Sequence, residues 1–317
     1  MITLGLLLGC AGGGDEAIAP EDASRPSPEF WKHWGDGKAE ISAYRLTQER
    51  YGELRRGEAV LITVTEDFTR AARVKSDGGH ADEFPVLKLN EVRDWTTGIY
   101  DYNVMTSTFL PLDGSLVRGQ PTKISFSSQE WCGHVWEQMR INKSVAGVSR
   151  HSYFDGEADR NESVTIPEYG LFADAMPLLV RGLVGDLMPA GSEHRVPWLR
   201  SALDRRLDHL STLWTPATLK RSAEAIEVEV PAGSFTVEVW TLAVADEQTT
   251  WWVEVAAPKR LIGWERNDGE RAVLTGSIRT PYWRQNREAD EGLRAGLGLA
   301  DRRPASDGDE PDSGNVD

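Results

Sequence analysis

Cysteine is nearly missing from this sequence: Cys10 and Cys132 are the only two among 317 residues. A disulfide framework is therefore excluded, and so are thiolate metal clusters. Histidine is scarce as well, with six residues, and no spacing of them forms a metal-ligand pattern. Positive charge is in deficit. The chain has 35 basic against 50 acidic residues, a net charge of −15, which argues against a nucleic-acid partner, since phosphates demand a basic footprint. No stretch approaches the roughly 18 apolar residues of a transmembrane helix. No glycine-rich phosphate loop or other cofactor pattern is present, and no cofactor is expected.

What the chain does have is tryptophan, 12 residues, within a hydrophobic content of 40%. That is enough for a substantial core. Strand-like runs begin after the aromatic cluster FWKHWGDG at residues 30–37. In EAVLITVTEDF, Val60, Ile62 and Val64 fall on one face and Leu61, Thr63 and Thr65 on the other. FPVLKLNEVRDW, GIYDYNVMTSTFLPL, PTKISFSSQEW, HVWEQMRIN and VSRHSYFDG follow, with turn chemistry every 10–15 residues. Helical spacing interrupts them near 169–185 and 198–211. In the second segment Leu199, Leu203, Leu207 and Leu210 form one stripe, and in the first Pro177, Gly182 and Gly185 predict a short or bent helix. Strands resume in EAIEVEVPAGSFTVEVWTLAV and continue to residue 283. No strand–helix–strand alternation appears, so a parallel doubly wound sheet is excluded. The expectation is a mainly β body over 30–283: one large curved antiparallel sheet, an incomplete barrel, with one or two covering helices. Residues 284–317, rich in Asp, Gly, Pro and Arg, read as a disordered acidic tail.

The opening MITLGLLLGCAGGGDEA carries a further signal. Leu7-Leu8-Gly9-Cys10 resembles the lipobox of bacterial lipoproteins, in which the cysteine thiol is acylated and becomes the first residue. The resemblance implies that residues 1–9 are the remnant of a signal peptide and Cys10 the lipidation site. Because no Lys or Arg precedes Cys10, the translation start is expected to lie upstream. Residues 10–29 lack periodicity and read as a flexible tether. By the same resemblance, Ala11 implies an outer-membrane, periplasm-facing location. The segment IEVEVPAGSFTVEVW, with Val230 to Phe235 and then Pro258, Lys259 and Arg260, resembles a family of uncharacterised periplasmic proteins with a vPAGtF hairpin. The body as a whole resembles uncharacterised bacterial lipoproteins. Its expected architecture is similar to the outer-membrane lipoprotein carriers, which implies a half-barrel that shelters acyl chains.

Three groups of residues invite a functional reading. Strand alternation sets Trp240 beside Glu238, Trp252 beside Glu254 and Trp264 beside Arg266. If these share one face, they line an amphipathic groove for lipid or for an envelope partner. Gln129, Cys132, Gly133, His134 and Trp136 superficially resemble the Gln…Cys-Gly-x-x-Trp pattern of papain-like proteases, which would make Cys132 a hydrolytic nucleophile. A Cys132–His134 pair supplies only two metal ligands, and the strand context favours a structural thiol. His33 and Asp36 with Trp31 and Trp34 read as an aromatic plug at the start of the body. The function expected is a non-enzymatic, lipid-anchored envelope protein that binds lipid or a partner. The alternatives are a ligand-free assembly lipoprotein acting through protein contacts, and a cysteine hydrolase.

Overall fold

The computed structural model describes residues 26–117 and 119–299. Cys10, the leader 1–9, the tether as far as residue 25 and the end of the tail lie outside the described residues. The first element is a helix, α1 (Pro28–Trp34), where the tether was expected to run on to residue 29. Ser27 accepts a hydrogen bond from the Phe30 amide (3.2 Å), and Pro28 has no amide hydrogen to leave unpaired.

A first run of strands is an uninterrupted meander: β1 (Ala39–Arg50), β2 (Glu53–Thr69), β3 (Glu83–Thr97), β4 (Tyr100–Pro111), β5 (Lys123–Glu130), β6 (Gly133–Ile141), β7 (Val145–Ser152) and β8 (Arg160–Thr165). After a turn comes β9 (Leu171–Phe172), followed by a 3-10 turn (Ala173–Ala175) and helix α2 (Met176–Leu179). Strand β10 (Glu193–Leu199) and helix α3 (Ala202–Leu207) complete the interruption. The meander then resumes through β11 (Trp214–Arg221), β12 (Ile226–Val230), β13 (Gly233–Val244), β14 (Glu247–Glu254), β15 (Leu261–Arg266) and β16 (Arg271–Thr280).

All sixteen strands belong to one open sheet. Its spatial order runs from β8 back to β1, across to β16, then back through β15, β14, β13, β11 and β10 to β9. β11 and β12 pair with successive halves of β13. Neighbours are antiparallel except β9 and β10. The first and last strands thus lie side by side at the middle, Ala39 opposite Thr280. The two edges, β8 and β9, are joined by residues 166–170, a span of at most about 20 Å. An edge-to-edge connection that short requires the sheet to curl almost into a barrel. The expected fold class, a large curved antiparallel sheet with few helices, is what forms.

The inner face carries the main core, with Tyr44, Leu46, Leu87, Leu89, Leu110, Trp240 and Leu242 packed against Phe172, Met176, Leu178 and Leu179. At one end α3 adds a second cluster, Leu203 and Leu207 on Trp95, Tyr102 and Phe126. The outer face is covered at the middle of the sheet as well. The chain after β16 forms a long 3-10 helix, Glu288–Leu297, where the sequence reads as disordered tail. Its end places Leu297 and Leu299 on Ala39, Ile41, Ala43 and Val64. This explains why AVLITV is apolar on both faces: Leu61 and Thr63 point in, Val60, Ile62 and Val64 point out under the cover. Gly276 makes the close approach possible, for a Cβ there would stand 2.4 Å from the Gly296 carbonyl oxygen.

The interruption departs from the expected helices. Residues 169–185 hold the two-residue strand β9, a 3-10 turn and the four-residue α2, the short helix that Pro177 and the glycines predict. In 198–211 the helix is confined to Ala202–Leu207, because Leu199 ends a strand that pairs with Trp214 and Ser201 caps the helix through the Asp204 amide (3.0 Å). Among the described residues no helix is long and apolar enough to cross a membrane.

Candidate functional site

Register decides the fate of the tryptophan face. Trp240 stands opposite Trp251, and Trp251 opposite Trp264. Directly opposed residues share a face, so the inner row is Trp240, Trp251 and Trp264. Trp252 pairs with Val239 and Gly263 and lies on the other face, beneath the Arg271 guanidinium (5.7 Å from its ring). Trp240 is buried under Arg221 (5.2 Å), which pairs with Glu238 at 2.8 Å. The charges beside the rings are thus partners of other charges. Trp264 packs on Tyr44 (5.1 Å) and donates its indole N–H to Glu270 (2.9 Å).

Trp251 and Trp264 border a recess of about 80 Å³ between the inner face and the interruption segment, lined also by Glu91, Arg93, Asp174, Asp204, Arg266 and Glu270. That volume holds about five waters and falls below the roughly 300 Å³ at which small-molecule sites begin. Its ionisable walls are largely committed. Arg93 donates to Glu91 (2.6 Å), Glu270 (2.9 Å) and Gln48 (3.2 Å). Arg266 bonds Asp204 of α3 (2.6 Å). Burial works against the Glu270 charge, but Arg93, Arg266 and the Trp264 N–H outweigh it and hold the carboxyl below its usual range. Asp174 differs. Burial pushes its carboxyl up to about 7, against the pull of Arg205 and of the Ala202 amide that it accepts at 3.1 Å. The recess is chiefly a strut. It ties the cover to the sheet, as do the pairs Arg205–Glu137 and Arg206–Glu130.

Cys132 occupies the exposed turn between β5 and β6. It sits at no helix N-terminus, and no hydrogen bond among the described residues joins it to His134, although Gln129 and His134 are opposite in register. His33 and Asp36 belong to the plug. Trp34 is buried between the guanidiniums of Arg181 and Arg279, 5.5 and 5.1 Å from its ring. Arg279 bonds Asp36 at 2.5 Å, and Arg181 pairs with buried Glu40 at 2.8 Å.

The feature that sequence reasoning missed is at the opposite end. The hairpins β1–β2, β3–β4, β5–β6 and β7–β8 all turn at the end remote from α1, and the strands they join are neighbours in order. Each tip presents one large apolar side chain: Tyr51 (58% exposed), Ile99 (84%), Trp131 (71%) and Tyr153 (67%). Turn tips ordinarily carry polar residues. Two of these tips are braced. Tyr51 bonds the Tyr102 hydroxyl (3.1 Å) and stacks on Arg50 (4.1 Å), and Arg50 donates to the Leu207 carbonyl of α3 (2.9 Å). Tyr153 lies against Gly133, where a Cβ would fall 2.5 Å from its ring. Glu49, Glu53, Asp101, Asp155 and Asp159 stand at or beside the same turns and outnumber the basic residues there, Glu53 being paired with Arg55 (2.7 Å) and Asp159 with His151 (2.7 Å). The result is a structured apolar rim within an acidic border.

Two of these four tips were legible as turns, near Gly52 and at Asp155-Gly156, whereas Ile99 and Trp131 read as strand residues and the alignment of the tips depends on register. Comparison of the chain with protein-family models, with curated proteins and with solved structures returns no match.

Proposed function

We propose that this protein is a non-enzymatic lipoprotein, acylated at Cys10 and held on the periplasmic side of the outer membrane, that docks a protein partner through its hairpin rim. The observation that carries the reading is the row Tyr51, Ile99, Trp131 and Tyr153, exposed at four adjacent tips of a sheet whose interior is filled. Exposed aromatics on a braced support are what interface anchors require. The acidic border favours a partner with basic residues around an apolar centre. It disfavours insertion of this end into an anionic bilayer. Chain direction supports the same orientation: α1 leads into β1 at the end opposite the rim, so a membrane tether leaves the rim free.

The test is site-specific photo-crosslinking in intact cells, with the reactive residue at position 99 or 131 and a control on the far side at position 224. Discrete protein adducts from the tips alone, lost when Trp131 and Tyr153 are changed to Ser, are expected. Lipid adducts from the tips, or equal yields from the control, would overturn the docking reading. A solvent-extractable lipid mass on the purified protein would instead restore lipid carriage on the inner face.

A further inference from the structure

Most buried or half-buried guanidiniums in this molecule face a carboxylate: Arg181 faces Glu40, Arg93 faces Glu91 and Glu270, Arg221 faces Glu238, Arg260 faces Glu254. Arg50 is satisfied instead by Tyr51, Tyr102 and the Leu207 carbonyl, and one group of cations also departs from the pattern. Lys123 of β5 and Arg140 of β6 stand directly opposite each other in register. Like charges in that position repel. Arg73, from the loop between β2 and β3, folds onto them. Its guanidinium donates to the Thr122 carbonyl (3.1 Å) and to Asn142 Oδ1, Lys123 Nζ donates to the Arg73 carbonyl (3.1 Å), and Arg140 donates to the Ala71 carbonyl (2.7 Å).

All these acceptors are neutral. Among the described residues no carboxylate forms an ion pair with any of the three. Burial and then the neighbouring Arg140 hold both Arg73 and Lys123 below their ordinary values, which is the signature of positive charge without local compensation. Arg73 and Lys123 are half-buried and Arg140 is exposed, so the group is fixed by its carbonyl bonds yet open on one side. Three preorganised, partly buried cations without a local carboxylate repel one another, a cost that a bound anion relieves.

We infer that Arg73, Lys123 and Arg140 form a binding site for a phosphate group. Guanidinium and ammonium donors held by backbone carbonyls suit a tetrahedral, multiply charged oxyanion. The site lies at the end of the sheet where α1 enters, opposite the rim. Its phosphate comes either from a soluble anion or from a lipid headgroup. The inference does not depend on acylation of Cys10.

The experiment uses the full chain with Cys10→Ser, compared with the same chain carrying Arg140→Gln. Arg140 is exposed, so an unchanged melting temperature is the control for folding. Calorimetric titration with inorganic phosphate, and sedimentation with vesicles of phosphatidylcholine alone or mixed with phosphatidylglycerol, separate the sources. Saturable phosphate binding that weakens at least tenfold in Arg140→Gln assigns a soluble ligand. Retention on phosphatidylglycerol vesicles alone, lost in the variant and at high salt, assigns a headgroup. Absence of both responses, or responses equal in the two chains, overturns the site.

Discussion

Asp174 is a residue whose chemistry departs far from its sequence context. The folded chain holds its proton up to about pH 7, whereas an unfolded aspartate gives it up near 3.8. Between those values the folded state binds more protons than the unfolded one. Stability from this group is therefore fully present below about pH 4, falls as pH rises towards 7, and is level above that. Asp174→Asn keeps an oxygen for the Ala202 amide and never ionises. We expect it to stabilise the protein at pH 8 by on the order of 2–4 kcal/mol and to change little at pH 4. Urea midpoints of both chains at pH 4, 6 and 8 check this; parallel curves would contradict it. Nothing in GLFADAMPLL marks Asp174 as unusual, because its shift comes from burial between segments distant in the chain. The same holds for Arg73, Lys123 and Arg140. Their grouping is a product of register and loop folding. Cys132 drew attention in sequence and proves to be an exposed turn residue.

At the scale of elements, sequence legibility follows locality. The turns at Gly52, Asp155-Gly156, Pro231-Ala232-Gly233 and Asn267-Asp268-Gly269 fall between the expected strands because their chemistry is local. Register is not local. One position separates Trp251 from Trp252, and that step decides which ring faces inward. The leucine stripe 199–210 fits a helix and a strand end equally well until Trp214 is known to pair with Leu199. The covering helix Glu288–Leu297 was illegible for a related reason: its sequence is weakly apolar, and it is held by a surface that β1, β2 and β16 supply. Gly276→Ala tests that hold. The added methyl meets the backbone of Gly296 and Leu297, so the helix must lift. We expect a loss of about 1–3 kcal/mol and faster tryptic cleavage at Arg287 and Arg294. Unchanged cleavage would show that the approach relaxes at no cost.

For the molecule as a whole, the closing seam lies at the centre of the sheet. β1 and β16 come from opposite ends of the sequence, and the inner core takes residues from both halves. The two runs of strands, separated by the helical interruption, therefore do not form two domains. Calorimetry should show one unfolding transition, and fragments ending or starting at residue 166 should each fail to fold alone. Two resolved transitions would sink that expectation.

The central position of β1 also has a mechanical meaning. From Glu40 to Thr47 this strand is hydrogen-bonded to β2 on one side and to β16 on the other. A pull entering the body through its N-terminal segment, and resisted at the hairpin tips, runs along β1 rather than across it. Both ladders then carry the load together, and their bonds must yield at once. An edge strand loaded crosswise would instead open like a zipper, one bond at a time. Under the proposed arrangement, with the N-terminal segment tethered and the hairpin tips gripped, the point of attachment is the strand best placed to bear tension.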